Sequence, residues 1–215
     1  MKKIWQLIPV LIFLSAASIG RADNLNIGFK LSYDHDRFTR PYLSDDLLAW
    51  QIDLFAGQKM SDFHALRFEI GYLHRQKQSM DLSYEGAPDG GFWHPEWRPA
   101  SYVNLAALTK LFPPGRSRLI PYVEIGCSWS VLVAGGKVVA LPPEIAADHN
   151  YHSDDYDLGY FIGGGFDIDP DGAGLSADLR FINELTPSTY AGDKGKNDYF
   201  SVSIAMKFMS LPGPL

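Results

Sequence analysis

The chain has 215 residues and a formal net charge of −6, from 19 Lys and Arg against 25 Asp and Glu. An acidic chain lacks the basic surface that nucleic acid requires, so nucleic acid is excluded as a partner. Its single cysteine, Cys127, can make neither an internal disulfide nor a cysteine metal site, so the fold needs another source of stability.

Residues 1–22 have the layout of a secretory signal peptide. Lys2 and Lys3 form a positive start, an apolar stretch runs over 4–17, and Gly20-Arg21-Ala22 offers a cleavage site before Asp23. A cut after Gly20 fits nearly as well. No cysteine follows, so a lipid anchor is not expected. Removing Lys2, Lys3 and Arg21 leaves 16 basic residues against 25 acidic ones, a mature charge near −9. The remainder, 23–208, is long enough for one domain, and 209–215 reads as a short C-terminal tail.

Beyond the signal no long segment shows helical periodicity. Alternation of period two recurs instead, the mark of strands with two unlike faces. Eight runs are predicted, at 25–33, 47–58, 63–75, 101–112, 119–134, 156–168, 175–185 and 198–208. In the first, Leu25, Ile27, Phe29, Leu31 and Tyr33 oppose Asn26, Gly28, Lys30 and Ser32. In the fifth, Val123, Ile125, Cys127, Trp129 and Val131 oppose Glu124, Gly126, Ser128 and Ser130. In the last, Phe200, Val202, Ile204, Met206 and Phe208 oppose Ser201, Ser203, Ala205 and Lys207.

The connections alternate in length. Those at 59–62, 113–118 and 169–174 are short, and the latter two carry strong turn residues, Pro113-Pro114-Gly115 and Asp169-Pro170-Asp171-Gly172. Those at 34–46, 76–99, 135–155 and 186–197 are long and polar. In an up-and-down barrel this places every short turn at one rim and every long loop at the other, the asymmetry of barrels that span a membrane.

The polar face carries Lys30, Asp53, Arg67, Glu69, Lys110, Glu124, Asp157, Asp167, Asp178, Arg180 and Lys207. Mixed signs fit a paired network filling a narrow lumen, because buried charges are tolerated only when paired or hydrated. A soluble carrier needs the reverse, an apolar interior and charges outside. Aromatic residues fall near the predicted strand ends: Tyr33, Trp50, Phe63, Tyr72, Tyr102, Phe112, Tyr122, Trp129, Tyr160, Phe166, Phe181, Tyr199 and Phe208. They are read as a membrane-interface girdle.

Several motifs carry a resemblance. Pro121-Tyr122-Val123-Glu124-Ile125-Gly126 precedes a Gly-rich sixth strand, Asp157-Leu158-Gly159-Tyr160-Phe161-Ile162-Gly163-Gly164-Gly165-Phe166-Asp167. Then come Leu175-Ser176-Ala177-Asp178-Leu179-Arg180-Phe181 and a strand ending in Phe208. This resembles the outer-membrane β-barrel family, which includes small eight-stranded OmpA/OmpX-like and porin-like proteins. The resemblance implies a cell outer-membrane location and insertion by the barrel-insertion machinery, which reads the terminal aromatic. It implies no activity, because the family is functionally mixed. One departure is that residues 209–215 follow Phe208, with Pro212-Gly213-Pro214 among them.

Candidate chemistry is sparse. Lipid A deacylases of this barrel size carry a His-x-Ser pair late in the barrel, where this chain has Phe181-Ile182-Asn183-Glu184. The loop with His149 and His152 among three aspartates could hold a divalent cation, but two His without a rigid frame read as an acidic solvated loop. Phe92, Trp93, His94, Pro95, Glu96, Trp97 and Arg98 are either loop anchors for a ligand or rim packing. The expectation is an all-β, eight-stranded antiparallel up-and-down transmembrane barrel, without cofactor or catalytic residues. Its role is structural or one of surface interaction, not that of an open wide pore. Expected partners are outer-membrane lipid with lipopolysaccharide and a surface ligand bound through the long loops. A lipid A-modifying enzyme and a soluble, lipocalin-like periplasmic carrier are the alternatives.

Overall fold

The computed structural model describes residues 24–36, 47–75, 99–114, 118–135, 156–168, 174–185 and 198–212, and six short strand segments between them. The expected signal peptide and the His149/His152 loop lie outside the described residues.

Eight long strands form one closed barrel: β1 (Asn24–Asp36), β2 (Leu47–Ser61), β3 (His64–Arg75), β4 (Ala100–Leu111), β5 (Leu119–Gly135), β6 (Tyr156–Ile168), β7 (Leu175–Glu184) and β8 (Asp198–Pro212). Each pairs antiparallel with its neighbours in sequence, and β8 closes on β1. Closure leaves no unpaired edge, which a sheet in lipid requires because no water is there to satisfy a free N–H or C=O. The strands run from 10 to 17 residues. About 9–11 tilted residues suffice to cross a bilayer.

The strand ends differ from expectation in ways with a physical cause. The β2–β3 connection shrinks to Asp62 and Phe63, since β2 runs on to Ser61 through a bulge near Lys59. At the C-terminus, the expected tail begins as strand. Met209, Ser210 and Leu211 pair with Ile27, Asn26 and Leu25, after a register shift at Ile27/Gly28 that absorbs Phe208. Pro212 takes the final position, where a missing N–H costs least. In the long connections, Leu82–Ser83 pairs with Phe92–Trp93 and Ser188–Tyr190 with Asp193–Gly195. Glu96–Trp97 pairs with Val138–Val139, tying the second long loop to the third.

The barrel is inside out relative to a soluble protein. Ile204 is 62% exposed on the wall, and Ile52, Leu54, Val123, Ile125, Ile162, Leu179 and Val202 share that surface. Asp53 and Glu124 are fully buried at the centre. Two small apolar clusters share the lumen with the charges. One joins Ala106, Leu108, Phe161, Ile182 and Tyr199; the other joins Ala49, Leu73, Ala100 and Tyr102 near the long loops. The lipocalin-like alternative therefore fails on orientation.

Candidate functional site in the barrel lumen

Each strand sends every second side chain inward, so the parity of a residue decides whether it meets lipid or the lumen. Lys30, Asp53, Arg67, Glu69, Lys110, Glu124, Asp178 and Arg180 are all buried in the lumen. Asp157 and Asp167 face it with side chains 16% and 18% exposed. Lys207 is half-buried near the β8 bulge at the short-turn end.

Arg180 is the centre of the network. Its Nη1 and Nη2 donate to Glu69 Oε2 and Oε1 at 2.8 and 2.9 Å, a bidentate pair. Its Nε donates to Glu124 Oε1 at 2.6 Å. Glu69 stands on β3 and Arg180 on β7, four strands apart in a ring of eight, so this pair crosses the lumen. Lys30 joins from β1, donating to Glu69 and lying 3.1 Å from Asp53. Arg67 Nε is 3.0 Å from Glu69, and its guanidinium sits 3.7 Å over the Phe55 ring. Asp178 accepts from Ser203 and, at 3.3 Å, from the Tyr122 hydroxyl. Gly163 makes room for this cluster: a Cβ there would lie 3.1 Å from both Arg180 Cγ and Glu124 Oε1, and 2.6 Å from the Leu179 carbonyl.

A second pair spans the same opposite strands closer to the long loops, with the charges reversed. Arg75 of β3 donates to Glu184 of β7, and at 3.1 Å to Asp157 of β6. Its guanidinium lies 4.9 Å from the Tyr102 ring centroid. Toward the short turns, Lys110 donates to Asp167 at 3.0 Å and sits over Tyr122, while Ser176 donates to the same Asp167. Between the first two layers lies a cavity of about 20 Å³, lined by Lys30, Gln51, Asn104, Arg180, Tyr199 and Ser201 among others. That is room for one water.

Parity also corrects the girdle. Tyr102, Tyr122 and Tyr199 point into the lumen, buried to 5%, 4% and 9% exposure, because they share faces with Asn104, Glu124 and Ser201. Phe112 and Trp129 are half-buried. Tyr33, Trp50, Phe63, Tyr72, Tyr160, Phe166, Phe181 and Phe208 are exposed on the outside. The sequence reading missed Asp34, Arg75 and Glu184. Each stands just past, or at the last turn of, the alternation assigned to its strand. Extending the parity of Lys30, Arg67 and Arg180 would have found all three.

An apolar outer wall, a closed ring of even strand number and short turns opposite long loops belong together only in a bilayer. The chain is an outer-membrane-type β-barrel. No protein-family model matches it, and no curated protein does. Among solved structures it is similar to Neisserial surface protein A, at 13% identity over 86% of this chain and 97% of that one, with a TM-score of 0.45. It is also similar to Ail of Yersinia pestis, solved with the heparin analogue sucrose octasulfate, at 8% identity over 87% and 100%, TM-score 0.42. The translocator domain of autotransporter NalP from Neisseria meningitidis matches at 16% identity over 96% and 97%, TM-score 0.38.

Proposed function

We propose that this outer-membrane-type barrel is a closed structural element of the envelope, with its long loops as the surface available to a ligand. It is not a wide pore. The observation that carries this is the pair of reversed crossbars between β3 and β7, Arg180 to Glu69 and Arg75 to Glu184. Eight strands leave space only for side chains, and here that space is taken by paired charges at three levels. Outer-leaflet lipid, including lipopolysaccharide, and the barrel-insertion machinery are the partners such a barrel needs.

The test is reconstitution of the full chain in planar bilayers and in liposomes. The expected result is no porin-sized conductance step and no sugar-driven swelling. Stable open steps that admit sugars would overturn the reading. The role is non-enzymatic, so overexpression is expected to leave the mass spectrum of lipid A unchanged.

A further inference from the structure

The outer wall near the long loops carries a polar cluster where lipid would otherwise demand apolar side chains. Trp50 of β2, His74 of β3 and Ser101 of β4 are direct cross-strand neighbours in one row. The Tyr72 hydroxyl donates to Ser101 Oγ at 2.6 Å, and Ser101 Oγ lies 3.2 Å from His74 Nδ1. Ser101 is buried at 8% exposure between these rings, beside the bulge at Ser101/Tyr102. The Trp50 indole is 5.3 Å from the His74 ring, and the Tyr72 ring stacks beside it at 12°. Tyr33 extends the row from β1 as the partner of Trp50.

The trio satisfies its own hydroxyls and one nitrogen of the imidazole. The second nitrogen, Nε2, has no place in that chain of bonds, and a polar nitrogen at an acyl boundary needs a partner. Trp and Tyr hold this level at the headgroups. Histidines face outward on β1 and β3, at His35 and His74. On the far side, over β7 and β8, Asn183 is hydrogen-bonded to Asp198. An anionic headgroup is accommodated at the His74 donor on β3 and disfavoured at Asp198, whose strand adjoins β1.

Resting on the outer-membrane reading above, we propose that the Trp50–Tyr72–His74–Ser101 cluster binds the phosphate of an outer-leaflet lipid headgroup. Here His74 Nε2 donates to a phosphate oxygen, Ser101 fixes the ring, and Trp50 packs on the first acyl carbons. Native mass spectrometry of the full chain, released from micelles doped with lipid A or with phosphatidylcholine, tests it. Wild type is expected to retain lipid A in preference to phosphatidylcholine. His74→Phe should cut that retention about tenfold, the worth of one charge-assisted hydrogen bond, and His35→Phe should cut it less. Heat-modifiable gel mobility checks that each variant is folded. Equal retention by wild type and His74→Phe would sink the proposal, as would equal retention of both lipids. Displacement of lipid A by millimolar inorganic phosphate would also overturn it, showing a site for the free ion. So would Ser101-dependent release of fatty acid, because the cluster would then be cutting lipid.

Discussion

Arg180 donates to two carboxylates on two other strands, and both acids are buried. Removing one member of a buried set costs more than the set contributes, because the others keep their charge without a partner. Arg180→Met is therefore expected to lower folding stability by about 3–5 kcal/mol. Adding Glu124→Leu should recover part of that loss, because Glu69 keeps Lys30 and Arg67 as partners. Urea unfolding in micelles measures both. A single variant as stable as wild type would remove Arg180 from the centre of the network. Gly163 is the steric counterpart. Gly163→Val pushes a side chain against Arg180, Glu124 and the Leu179 carbonyl, at a cost of about 1–3 kcal/mol from overpacking. The same urea titration reads it, and a neutral result would mean that β7 yields.

At the scale of the strand, the wall residues answer to depth in the bilayer. Ile204 sits mid-strand in β8 between Leu31 and Ala177. Ile204→Arg should destabilise insertion into vesicles by about 2–4 kcal/mol, the cost of a cation on the lipid face at the midplane. The same substitution at Leu211, near the rim, should cost far less. Equal costs would mean that Ile204 does not lie at depth. The C-terminal extension gives another test. Deleting 209–215 removes the pairing of Met209, Ser210 and Leu211 with β1. At about 1 kcal/mol per ladder bond, the truncated chain should still insert but unfold more easily in urea. Unchanged stability would make the extension a tail after all. All eight strands were legible because lipid outside and charge inside impose a strict alternation. Their ends were not, since a bulge at Ile27/Gly28 or at Lys59 shifts register without changing composition.

For the whole molecule, the lumen's charge sets what a leak would pass. Among the described residues, Asp34, Asp53, Glu69, Glu124, Asp157, Asp167, Asp178 and Glu184 face Lys30, Arg67, Arg75, Lys110, Arg180 and Lys207. Carboxylates predominate, so shortening both crossbars, Arg180→Ala with Arg75→Ala, should give small, cation-selective currents in planar bilayers. Anion-selective currents would contradict that balance.

Residue order alone determined the number of strands, which side chains face lipid, and that the interior is charged, because parity in a strand is a local property. It did not reveal which charge meets which. Arg180 reaches Glu69 across 111 positions of chain, and the Ser101–His74 contact forms on the wall only once β3 and β4 align. Those partners depend on barrel closure and on the shifts in register, and both arise only when the strands come together in three dimensions.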